Sequence, residues 1–90
     1  KDNSFIDAQR NYGLTLIELE DYENGIATFN KILQNYPDDV ETLIILSGFY
    51  CELEKWTEAE NFINAALLNE PENPKALEIM QMINNQLGRN

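Results

Sequence analysis

The groups with chemistry to offer in this 90-residue sequence are sixteen carboxylates and a single thiol, Cys51. Carboxylates alone can move protons, so pairs such as Glu18 with Glu52, or Glu52 with Glu78, are the arrangement to weigh for acid/base work. No histidine accompanies them, which removes the usual near-neutral base and the commonest nitrogen ligand for a metal. Cys51 has no base identifiable in the sequence to activate it, and neither a glycine-rich phosphate loop nor a cysteine cluster occurs. The acid-rich runs "DYEN", "PDDVE" and "PENP" lack the glycine-containing twelve-residue loop of an EF-hand calcium site. The simpler roles are solvent-face charge for the acids and small-residue packing for Cys51. No catalytic centre, metal or cofactor is expected.

Charge then narrows the partners. The net charge is −10, with acids scattered along the chain and densest at Glu18, Glu20, Asp21 and Glu23. The six basic residues, Lys1, Arg10, Lys31, Lys55, Lys75 and Arg89, form no cluster able to neutralise a row of phosphates. Nucleic acid is therefore excluded as a partner, and a basic protein or peptide surface is favoured electrostatically. No run approaches the roughly 18 apolar residues of a membrane span, so direct insertion is not expected. A lone cysteine favours a reducing, cytoplasmic setting and leaves a periplasmic one open, since a start without Met fits a processed or excised fragment. A chain this short buries only about 60–65% of its unfolded surface, which argues against a large enclosed cavity.

The elements that must carry these residues read as five helices. Phe5, Ala8, Tyr12, Leu16 and Leu19 step by three or four, the helical period, after Ser4 as a candidate N-cap with Asp7 in the first turn. Tyr22, Ile26, Phe29, Ile32 and Leu33 mark a second helix that stops near Asn35, before Pro37. A third begins after Asp38 or Asp39; with Asp38 as the cap, Glu41 would complete a capping-box-like arrangement. Its buried side reads as Leu43, Leu46, Phe49, Tyr50 and Leu53. A fourth uses Trp56, Ala59, Ile63, Ala66 and Leu67 and ends before Pro71. Asn73 caps a fifth with Pro74 at its first position and Ala76, Leu77, Met80, Ile83 and Leu87 along its packing side, after which Gly88, Arg89 and Asn90 are expected to fray. Tyr22, Phe29, Tyr50 and Trp56 fall on packing positions, so base stacking is not their expected use.

Adding 34 aligns the first half of the chain on the second without a gap. Gly13 meets Ser47, Tyr22 meets Trp56, Gly25 meets Ala59, Phe29 meets Ile63, Leu33 meets Leu67 and Pro37 meets Pro71, while Ile26 meets a discordant Glu60. Small residues recur where helices approach and large ones where space must be filled. This period and chemistry resemble the tetratricopeptide repeat family. Departures are Ile32 where a small residue is usual, Gln9 and Leu43 at a position often held by tryptophan, and Glu20 and Glu54 at the common glycine of the turn within each hairpin.

The resemblance implies an all-α, right-handed solenoid of antiparallel helix hairpins. One domain would span residues 4–87, with repeats over about 4–37 and 38–71 and a helix over about 73–87 that caps the stack or opens a third repeat. It further implies a concave groove lined by the first helix of each hairpin. Carried over by position, that groove holds Asp7, Arg10, Leu14, Ile17 and Glu18, then Glu41, Ile44, Gly48, Cys51 and Glu52, then Lys75, Glu78 and Met82. Some members clamp an acidic C-terminus with Lys, Asn and Arg; the matching Leu14, Gly48, Glu78 and Met82 have the wrong chemistry, and only Arg10 suits it. The expected function is a non-catalytic scaffold or adaptor taking a basic, amphipathic peptide or helix in an acidic groove with an apolar floor. A dedicated chaperone shielding a partner helix, and a structural spacer or self-association module, are the alternatives.

Overall fold

The computed structural model describes residues 4–89, and all regular structure among them is helical. The helices are α1 (Ser4–Glu18), α2 (Tyr22–Asn35), α3 (Val40–Glu52), α4 (Trp56–Asn69) and α5 (Pro74–Gln86). They fall into two compact units that divide between Pro37 and Asp38, α1 and α2 in the first and α3 to α5 in the second.

In the first unit α1 buries Ile6, Arg10 and Gly13, with Ile17 half-buried, a spacing that puts all four on one side of the helix. The partner surface on α2 is Gly25, Phe29 and Ile32. A Cβ built on Gly13 would stand 2.8 Å from Cζ of Phe29, and one on Gly25 would stand 2.7 Å from Cδ1 of Ile17. As α1 advances from 13 to 17, its partner positions retreat from 29 to 25, so the helices are antiparallel. Two glycines let the backbones approach where a methyl would collide.

The expected buried stripe of α1 is therefore corrected. Phe5, Tyr12 and Leu19 are 67%, 59% and 72% exposed, Ala8 is exposed and Leu16 half-buried. Two faces of α1 satisfy the helical period, and the true contact face is the one marked by Gly13, which adds nothing to an apolar count. Ser4 stands inside α1 rather than ahead of it as a cap. Asp21 caps α2, accepting from the Asn24 backbone N–H at 3.4 Å and from its side-chain amide at 2.8 Å.

In the second unit α3 buries Thr42, Leu43, Leu46, Ser47 and Cys51, and α4 answers with Ala59, Ile63 and Ala66. Where the first unit brings α1 and α2 together at Gly13, Ser47 donates its hydroxyl to the Ala59 carbonyl at 2.8 Å. Tyr50 stacks on Phe62 with ring centroids 5.6 Å apart, so its ring is occupied within the unit. The cap of α3 is Asp39, not Asp38: its carboxylate accepts from both the backbone N–H and the hydroxyl of Thr42. Asn73 caps α5 through the Ala76 N–H at 3.0 Å, with Pro74 as first helical residue. Against α3 and α4, α5 buries Ala76, Ile79 and Ile83; Leu77, and Leu53 at the C-cap of α3, are exposed instead of buried.

Three helices end alike, 34 residues apart. Glu20, Glu54 and Gly88 adopt φ of 65°, 59° and 74°. The next residue's N–H reaches back to the carbonyl five before it: Asp21 to Leu16 at 2.8 Å, Lys55 to Tyr50 at 2.9 Å, Arg89 to Asn84 at 2.7 Å. This is the Schellman pattern that satisfies the last carbonyls of a helix. The expected fraying at Gly88 and Arg89 is thus replaced by an ordered cap; Asn90 lies outside the described residues. Arg89 also pairs with Glu60 of α4, which accounts for a carboxylate where the first unit has Ile26.

Candidate functional site

The thirteen residues expected to line a groove separate by burial, unit by unit. On α1, Asp7, Leu14 and Glu18 are exposed, Leu14 at 39%, and adjoin one another around the helix. Arg10 is buried, its guanidinium 3.1 Å from the Asp7 carboxylate, and Ile17 packs over Gly25. Ile17 belongs to the hairpin contact and Arg10 lies on the same side of α1: each helical residue turns about 100°, so positions next to an outer face rotate into the inner one. They are withdrawn from the accessible set.

On α3, Glu41 and Glu52 are exposed and Ile44 and Gly48 half-buried, at spacings of three or four that place them on one side. Cys51 is buried at 6% exposure and is withdrawn as well. Burial pushes its thiol pKa up, and the neighbouring Glu52 carboxylate adds to the effect. Less thiolate at neutral pH and little access make it a packing residue. Alkylation of Cys51 by iodoacetamide at pH 7.5 is therefore expected to run at least about tenfold slower in the folded chain than in urea, as followed by mass spectrometry. On α5, Lys75 and Glu78 pair at 3.5 Å on the surface and Met82 is 41% exposed.

What these helix surfaces offer, each in its own unit, is carboxylates beside isolated apolar side chains, with the Asp7–Arg10 and Lys75–Glu78 ion pairs among them. Among the described residues no group of His, Cys, Asp and Glu is placed to hold a metal ion, and no helix is long and apolar enough to cross a membrane. A cavity of about 90 Å³ at the open end of the first hairpin, between Phe5, Ile6, Ile32 and Tyr36, has room for little more than one side chain. The sequence pattern misassigned the Phe5, Tyr12 and Leu19 side of α1 to the core, though Gly13 carried the signal that would have located the buried side.

Antiparallel hairpins with small residues at the helix crossings, repeating at 34 residues down to the left-handed residue of each turn, define an α-helical repeat protein. The family model described as Tetratricopeptide repeat matches residues 16–83. That is most of the 90 residues, and the chain belongs to this family. No curated protein and no solved structure matches it. Proteins of this family are non-catalytic scaffolds for protein–protein interaction, and that is the role of this chain.

Proposed function

We propose that the chain is an adaptor module that binds a basic, amphipathic peptide or helix through the acidic outer sides of its first-position helices. The observation that carries this reading is Gly48. Glycine inside a helix costs about 1 kcal/mol relative to alanine. Gly13 and Gly25 have a packing reason for that cost, whereas a Cβ on Gly48 would meet nothing within 4 Å. The gap stands one turn from Ile44 and from Glu52, and an incoming backbone could settle there with its basic side chains toward the carboxylates. Leu14, between Asp7 and Glu18, repeats the same mixture on α1. Arg10, Ile17 and Cys51 take no part in the contact.

Two variants test it. Leu14→Ser combined with Ile44→Ser is expected to abolish capture of a protein partner, and at least tenfold of the affinity for a synthetic Leu/Lys amphipathic helix, with helicity and melting kept. Gly48→Ala is expected to split stability from binding: helix propensity adds about 1 kcal/mol, a rise of about 4–8 °C in Tm for a domain of this size, while affinity for the same peptide falls. Peptide binding unchanged by either variant would end this assignment of the surface. A collapse of helicity in the double variant would return Leu14 and Ile44 to the core.

A further inference from the structure

The exposed side of α1 lies away from the Gly13 contact face of the hairpin, and it has no part in the proposed partner contact, since Asp7, Leu14 and Glu18 lie around the helix from it. Along it run Phe5, Ala8, Tyr12 and the half-buried Leu16, with Leu19 just past the helix end; Phe5, Tyr12 and Leu19 are large and more than half exposed. From this geometry we infer that α1 mediates association with a second copy of the chain, the two α1 helices lying antiparallel about a two-fold axis at Tyr12.

The register supports a self-complementary contact. Phe5 and Leu19 each lie seven residues from Tyr12, and Ala8 and Leu16 each lie four. An antiparallel pair centred on Tyr12 therefore sets Phe5 of one copy on Leu19 of the other, Ala8 on Leu16, and Tyr12 on Tyr12. A two-fold contact requires this: if one position meets a second, the second must meet the first. A stripe lacking symmetry about its centre would leave one large side chain opposite a polar one.

Charge selects the occupant. The chain carries −10, so two copies repel over most of their surfaces. The charged residues within α1 are Asp7, Arg10 and Glu18, each more than about 100° around the helix from Tyr12. Within α1 the stripe thus carries no charge, although Lys31 lines the cavity beside Phe5 and Glu20 and Asp21 follow Leu19, so a second copy meets less repulsion along it than on the Asp7 and Glu18 side.

The repeat argues further against a preceding hairpin as the occupant. Sixty-eight residues after Ala8, Asn11 and Thr15 stand Ala76, Ile79 and Ile83, which α5 buries against its own unit. Covered in the same way, Asn11 and Thr15 would bring an amide and a hydroxyl into a core that α5 fills with isoleucines. As the neutral polar rim of a reversible interface they are well placed. One helix pair buries less than the roughly 1,200 Å² of a standard stable interface, so the dimer is weak.

Sedimentation equilibrium of the intact chain from micromolar to near-millimolar concentration tests this. A monomer–dimer equilibrium is expected, tightening as salt is raised and the net charges are screened. Tyr12→Asp sets two carboxylates face to face at the axis and is expected to weaken the dimer at least tenfold with helicity unchanged. Tyr12→Cys is expected to form an intermolecular disulfide readily under oxidation, and Phe5→Cys only when mixed with Leu19→Cys. A chain monomeric throughout, a dimer indifferent to Tyr12→Asp, or Phe5→Cys linking to itself as readily as Tyr12→Cys would each overturn the inference. Because Leu14 lies around α1 from this stripe and Ile44 belongs to the other unit, the Leu14→Ser/Ile44→Ser variant should dimerise like the parent, so failure of one reading leaves the other standing.

Discussion

Phe29→Ala is expected to lower the stability of the chain by about 3–5 kcal/mol, read as a fall in the midpoint of urea unfolding followed by helical circular dichroism. Phe29 is 1% exposed and fills the space that Gly13 leaves between α1 and α2. A domain of this length holds roughly 5–13 kcal/mol in all, so one ring represents a large part of it. The complementary change makes the argument specific. Gly13→Ala in an ordinary helix would gain about 1 kcal/mol from propensity. Here the new methyl would stand 2.8, 2.9 and 3.1 Å from three atoms of the Phe29 ring, which is enclosed and has nowhere to move. Overpacking of this kind costs about 1–3 kcal/mol, so the net effect is expected to be a loss. Adding Phe29→Leu to Gly13→Ala withdraws the ring edge, and the double variant should lose less than the sum of the singles by about 0.5–3 kcal/mol. Strictly additive losses would show that ring and glycine do not share the space.

This pair also marks how far the fold could be read from the sequence. Five helices were legible because apolar periods, prolines and capping residues agree at each boundary: Pro37, Pro71 and Asn73 stand where α2, α4 and α5 stop or start. The repeat was legible from the 34-residue spacing. The face of α1 was not, because two stripes share one period and the deciding residue, Gly13, has no side chain to count. Asp39 won the capping position over Asp38 because Thr42 offers it both a backbone and a hydroxyl donor, a match visible only once the turn is built. Of the residues assigned to the candidate site by position, Leu14, Glu18, Glu52 and Met82 are exposed, whereas Arg10 and Cys51 are buried and Ile17 is half-buried, each within one residue step of an outer face. That a Cβ on Gly48 would meet nothing within 4 Å is visible only in the structure.

Glu20 and Glu54 stood out in the sequence as departures from a turn glycine, and the backbone shows what they cost. Both sit in the left-handed region, at φ 65° and 59°, where a side chain raises the energy by roughly 1–2 kcal/mol. Glycine there removes the strain and adds freedom to the unfolded chain, a partial offset of about 0.4–1 kcal/mol. Glu20→Gly and Glu54→Gly are therefore each expected to stabilise by up to about 1 kcal/mol. Each full kcal/mol is worth about 4–8 °C in Tm for a domain of this size, and the two should add because they lie in different units. Gly88 supplies the reverse experiment. It occupies the third such turn at φ 74°, and nothing lies within 4 Å of a Cβ built on it, so Gly88→Ala tests the backbone without a steric collision. It should destabilise by about 1 kcal/mol. Glu58→Gly, within α4, controls for composition and should lose about 1 kcal/mol through helix propensity. Melting curves must be compared at one protein concentration, since self-association would shift Tm by mass action. A gain at positions 20 and 54 with losses at 58 and 88 is the pattern that backbone conformation alone dictates. A drop in Tm for Glu20→Gly or Glu54→Gly would mean that the glutamate side chain contributes more than its backbone strain costs.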